Sequence, residues 1–170
     1  AYNQAGDSWT SKTDMPSPAR ADVGGCLLGG YFYAMGGADG SPAYFRDTDR
    51  YDAGGDSWTA KTDIPTPARY FDNACGVLGS YAYITGGWDG TNYCADHDQY
   101  SEDTWTSKTD VGFGRRSSAS TGIDSALYVM GGFRLASPFY MPDNDEYVVD
   151  TWSSKSSMTT ASPFGGAVSI

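Results

Sequence analysis

The chain has 170 residues, with 21 Asp and Glu set against 11 Lys and Arg, for a formal net charge of −10. That balance argues against nucleic acid and anionic membrane surfaces as partners, because both recruit clustered Lys and Arg. No stretch approaches the roughly 20 apolar residues of a membrane span, so no membrane insertion is expected, and the length suits one domain with a real core.

In chain order, the first predicted element is an outer strand at 7–14, DSWTSKTD, followed by a Pro-rich crossover to Arg20. Four strands follow: ADVGGCLL, YFYAMG, FRDTDRYD and SWTAKTD, the last ending at Asp63. Each is bounded by Gly, Pro, Asp or Ser clusters, the usual punctuation of antiparallel connections. The same order returns after Arg69 and again after Arg116. Helical periodicity is absent, and the Gly-, Ser-, Thr-, Asp- and Tyr-rich composition favours strands.

The repetition is internal and in phase. DSWTSKTDMPSPAR at 7–20 returns as DSWTAKTDIPTPAR at 56–69. Trp9, Trp58, Trp105 and Trp152 are spaced by 49, 47 and 47 residues, each with a Lys three positions later. Tyr2, Tyr51, Tyr100 and Tyr147 precede them, and Tyr-x-x-Gly-Gly occurs at Tyr33, Tyr83 and Tyr128. Self-similarity at such a period signals a repeat architecture.

A small apolar strand, Tyr33 before Gly36 and Gly37, Tyr51-Asp52 before Trp58, then Ile64-Pro65 and Arg69 resemble the kelch repeat. That resemblance implies an all-β fold, a kelch-type β-propeller in which each repeat forms one four-stranded antiparallel blade. Repeats fall at about 20–63, 69–110 and 116–157, with partial copies at 1–14 and 158–170, so residues 1–170 form one domain or part of one. The chain thus offers a little over three blades, whereas propellers close with four to eight. Open blade edges invite pairing, so a homo-oligomer, another assembly or a larger parent propeller is expected to cover them. In the last copy Thr159 stands where Pro belongs and Pro163 where Arg belongs, which favours a true end. The start on Ala1 instead points to a processed N-terminus or a longer parent.

Chemistry is sought first in the repeated residues. A catalytic group is needed once rather than once per repeat, so the DSW motif is read as architecture. Asp47 and Asp49, Asp96 and Asp98, and Asp143 and Asp145 alternate along strands and share a face. They are weak calcium candidates; the alternative pairs them with Arg20, Arg69 and Arg116. His97, the single histidine, stands where other copies have Thr48 and Asn144, and is read as a solvated strand residue. No histidine set for copper and no GxSxG elbow is present, so no catalytic residue and no cofactor is assigned.

Cys26, Cys75 and Cys94 are odd in number, leaving one unpaired or paired between chains, and lack zinc-ligand spacing. Cys26 and Cys75 are expected at the same place in successive inner strands, buried as small apolar residues.

The copies disagree in the loop after Gly-Gly. The loops joining strands two to three and four to one should emerge on one face, carrying Trp88, Tyr93, Phe133, Arg134, Phe139, Tyr140 and Met141, with Arg20, Arg69 and Arg116 at the crossovers. Aromatics and Arg on loops of a rigid scaffold suit recognition, although Phe139, Tyr140 and Met141 could instead fold back as a plug. The expected function is a non-catalytic module binding protein or glycan, or building an extracellular or cell-surface assembly, with the cytoplasm as the alternative location. The competing expectation is part of a propeller enzyme whose catalytic groups lie in other blades or another chain.

Overall fold

The computed structural model describes residues 1–40, 43–71, 74–137 and 139–161. Residues 162–170, with Pro163 and most of the expected last partial copy, lie outside the described residues. The described chain is all-β. A short hairpin, β1 (Tyr2–Asn3) and β2 (Ser8–Trp9), precedes three four-stranded antiparallel meanders. Blade 1 runs β3 (Gly24–Leu28), β4 (Tyr31–Met35), β5 (Thr48–Asp52) and β6 (Ser57–Lys61). Blade 2 runs β7 (Cys75–Leu78), β8 (Tyr81–Thr85), β9 (His97–Ser101) and β10 (Thr104–Ser107). Blade 3 runs β11 (Ala119–Ile123), β12 (Ala126–Met130), β13 (Asn144–Val148) and β14 (Thr151–Ser154). These blade-like sheets form part of a propeller-like fold. The strand expected over 7–14 is regular only at β2, because its partner β1 is equally short.

The turn residues explain the hairpins. Gly29, Gly30 and Gly79 supply positive φ between first and second strands. Between third and fourth strands the left-handed position falls on Asp56, Asp103 and Asp150, with φ of 47°, 62° and 59°; Asp tolerates that region better than most residues.

Those aspartates also join the blades. Asp56 accepts Thr13 N–H at 2.9 Å, Asp103 accepts Thr62 N–H at 2.7 Å and Asp150 accepts Thr109 N–H at 2.9 Å. Tyr51, Tyr100 and Tyr147 each donate a hydroxyl to the same carboxylate. The Trp58, Trp105 and Trp152 indole N–H groups donate to the carbonyls of those same Thr13, Thr62 and Thr109 residues, at 3.0, 2.9 and 2.7 Å. One side-chain trio therefore holds both backbone polar groups of a single Thr just beyond the preceding outer strand. These hydrogen bonds hold the three carboxyls below the usual carboxylate range.

The core lies between blades. Tyr33 and Met35 of blade 1 pack with Ile64, Phe71, Cys75, Ile84 and Tyr100. Tyr83 of blade 2 packs with Leu127, Val129 and Tyr147 of blade 3. In blade 2 the second strand is buried on both faces from Ala82 onward, because blades 1 and 3 cover one face each. The inner strands approach most closely at glycine: a Cβ on Gly122 of β11 would clash with the Val77 carbonyl oxygen of β7.

Two sequence expectations are corrected here. Register pairs Cys26 with Tyr33 but Cys75 with Ile84, so Gly76, not Cys75, is the equivalent of Cys26. The one-residue offset turns the two cysteines to opposite faces of their own blades. His97 is not solvated: it is 1% exposed, with Tyr83, Tyr147 and Trp152 rings at 5.2, 4.4 and 4.9 Å. Blade 3 covers the face of β9 that carries it.

Burial lowers His97 from its ordinary 6.5 to about 3. The unfolded chain therefore takes up a proton first as pH falls, and stability present above about pH 6.5 is lost progressively toward pH 3. The slope reaches about 1.4 kcal/mol per pH unit. Equilibrium denaturation between pH 7 and about pH 5, above the window in which Asp56, Asp103 and Asp150 contribute, should show this loss. His97→Phe should flatten it; an unchanged slope in that variant would contradict the assignment.

Candidate functional site

The Gly-Gly pairs and the arginines set up the loop face. Gly36 has φ 61°, and a Cβ there would sit 2.6 Å from the Arg69 carbonyl. Gly37 N–H donates to that carbonyl at 3.1 Å, and Gly87 N–H donates to the Arg115 carbonyl at 2.7 Å. Each arginine then turns its side chain into its own blade. Arg20 pairs with Asp49 at 2.6 Å, Arg69 with Asp98 at 2.5 Å and Arg115 with Asp145 at 2.5 Å, all three guanidinium side chains being fully buried.

The sequence register therefore slips in the third copy, where Arg115 and not Arg116 occupies the buried site. The signal was the adjacent Arg115-Arg116 pair, which the fixed spacing from Trp105 resolved the wrong way. Arg20 and Arg69 lie at the crossovers but hold them from within, so neither presents its cation to the loop face. Asp49, Asp98 and Asp145 are taken up by these pairs. Asp96 approaches Arg69 Nη1 at 3.8 Å, while the Asp47 and Asp143 carbonyls accept Gly36 and Gly131 N–H. Among the described residues no cluster of three His, Cys, Asp or Glu side chains could hold a metal ion.

Beyond each Gly-Gly pair the loop returns through isolated β-bridges. Ala38 bridges Ala21 and Tyr44, Trp88 bridges Tyr70 and Tyr93, and Phe133 bridges Arg116 and Tyr140. The variable loops thus share a backbone frame. Its returning position is Tyr in all three copies, a regularity hidden in the sequence by unequal loop lengths.

These side chains meet across blades. Tyr44 stacks on Tyr70 at 5.9 Å and 19°. The Arg116 guanidinium stands 5.2 Å from the Tyr70 ring and 5.4 Å from the Phe133 ring. Tyr93 lies 4.6 Å from Trp88 and 5.6 Å from Phe133, which also touches Tyr140 and Phe139. The result is an aromatic band with an embedded cation spanning all three blades. Arg134 stands beside it, 5.0 Å over Phe113. Trp88, Tyr93, Phe133 and Arg134 are half-buried, Phe139 and Tyr140 are about half exposed at 52% and 51%, and Met141 is buried. Of the three residues that could act as a plug, only Met141 turns inward. Two depressions flank the band, one of about 830 Å³ lined by Asp22, Asp39, Tyr44 and Tyr70, the other of about 360 Å³ lined by Tyr93, Phe113 and Arg134.

A site that sequence reading missed opens on the opposite face. A cleft of about 920 Å³ between blades 1 and 2 is lined by Tyr31, Tyr33, Arg50, Tyr81 and Glu102 among others. Arg50 lies 4.3 Å over Tyr31, and its Nε has no hydrogen-bond partner. The copies disagree at this position, with Arg50, Gln99 and Glu146 opposite Tyr33, Tyr83 and Tyr128. That variation inside a strand was the available signal.

No family model matches the chain, and no curated protein matches it. Among solved structures the chain is similar to that of YjhT, with a TM-score of 0.74 at 16% identity over 92% of this chain. The chain spans 58% of the length of that neighbour. Identity this low conveys the shared propeller-like fold, and a fold of this kind hosts unrelated activities.

Because Asp49, Asp98 and Asp145 serve guanidinium groups, millimolar calcium followed by excess chelator should leave the thermal midpoint unchanged. A calcium-dependent rise of several degrees would show that the ion competes successfully for Asp49, Asp98 or Asp145.

Proposed function

We propose that the protein is a non-catalytic kelch-type propeller module that binds a protein or glycan through its loop face. The observation carrying this reading is the continuous band Tyr44–Tyr70–Arg116–Phe133–Tyr93–Trp88, built where the repeats differ. Rigid aromatics and Arg bury large area at small entropic cost and dominate recognition surfaces. The repeated charges support the same reading from the other side, since Arg20, Arg69 and Arg115 are committed to internal pairs. His97, whose imidazole sits in an aromatic cage, is poorly placed for acid–base work. The acidic, Lys-poor composition supports an extracellular or cell-surface location. The exposed edges of the outer blades fit an oligomer, an assembly or a larger propeller.

The competing reading is part of a propeller enzyme completed by groups outside these residues. It is favoured by the Arg50 cleft, whose guanidinium, held over Tyr31, could attract an anionic substrate.

Screening against immobilised glycans and a surface-protein library, followed by titration, tests the choice. Trp88→Ala and Phe133→Ala should weaken the identified ligand by at least about tenfold, the scale of a hot-spot contact, with smaller effects on the unfolding midpoint. Arg50→Ala should leave that affinity unchanged. Loss of binding with Arg50→Ala and its retention in both loop-face variants would contradict the proposal and favour the cleft.

A further inference from the structure

The one-residue offset between Cys26 and Cys75 has a chemical consequence. Cys26 stands opposite Tyr33 on the face of blade 1 whose Tyr33 ring meets Tyr100 of blade 2 at 5.5 Å. Cys75 stands opposite Ile84 on the face of blade 2 turned toward blade 1, where the Ile84 side chain lies beside Gly24. Both cysteines therefore point into the same interface from opposite sides, within one apolar cluster. Their inner strands, β3 and β7, run next to one another, and both thiols are free.

We propose that Cys26 and Cys75 form a redox site that closes to an interblade disulfide in the presence of a small-molecule disulfide oxidant. The burial pattern sets the order of events. Cys26 is partly exposed, whereas Cys75 is 6% exposed. The Cys26 thiolate attacks oxidised glutathione, and one glutathione leaves as its thiolate. Cys75 then gives up its proton to solvent and attacks the Cys26 sulfur, expelling the second glutathione. Two protein thiols are oxidised and one glutathione disulfide is reduced to two glutathiones, so electrons and protons balance. A hydrogen bond to Cys26, together with burial, raises the Cys75 thiol well above its ordinary range, which makes the second step slow at neutral pH and faster as pH rises. Cys94 is left over: it is buried under the loop face, and burial raises its thiol to about 12.

The product links blades 1 and 2 across a loop of about fifty residues, and closing a loop of that size constrains the unfolded chain strongly. Such a link would persist in an oxidising compartment and open in a reducing one.

The test is intact mass and peptide mapping of the native, reduced protein after exposure to oxidised glutathione at pH 8. The expected result is loss of two hydrogens, a peptide joining Cys26 to Cys75, and a raised Tm that reverts with dithiothreitol. Cys94→Ser should behave as wild type, whereas Cys26→Ser and Cys75→Ser should show neither the link nor the Tm shift. A link through Cys94, a stable glutathione adduct on Cys26, or unchanged mass in natively folded protein would each overturn the proposal.

Discussion

Each blade is organised around one buried guanidinium. Arg20, Arg69 and Arg115 reach Asp49, Asp98 and Asp145 at 2.6, 2.5 and 2.5 Å with their side chains out of solvent. An unpaired charge in such a place is strongly destabilising, so neither partner can be altered alone. The pair ties the crossover that enters a blade to that blade's third strand. At Arg69 and Arg115 the backbone carbonyl meanwhile binds the Gly-Gly corner of the blade before. Two blades and one crossover are thereby positioned by a single residue.

The outer rim repeats this logic with different groups. A Tyr, an Asp in left-handed conformation and a Trp capture the backbone N–H and C=O of a Thr that has just left the preceding outer strand. Between rim and corner, the central strands of blade 2 contribute apolar area to both neighbours, which is why β8 is buried on two faces. Side chains serving these contacts recur because the contact recurs. What is left free to differ is the loop beyond Gly-Gly and the strand position held by Arg50, Gln99 and Glu146. Both candidate binding surfaces lie there.

Most of this architecture was legible in the sequence because it is written three times. The four-strand order, the Gly-Gly corners and the Trp-centred rim follow from spacing alone. Two departures, at Arg116 and Cys75, share one cause, since spacing locates a residue only to within one position. The spacing points to Arg116 where Arg115 holds the buried site, and to Cys75 where Gly76 is the equivalent of Cys26. In a strand, a shift of one position exchanges the two faces, so small errors of register became large errors of environment. His97 was misjudged because its polarity was read without the blade that covers it. The aromatic band could not be seen at all, because its members meet only after loops of unequal length converge on one frame.

The repeated charges act as structural partners of one another. A double-mutant cycle of Arg69→Met and Asp98→Ala, read by equilibrium unfolding, tests that partnership most directly. Each single substitution should cost about 3–5 kcal/mol, and the double variant should cost little more than one of them, giving a coupling of at least about 2 kcal/mol. Additive effects, with coupling below about 0.5 kcal/mol, would contradict the claim and return these residues to the list of groups available for binding or catalysis.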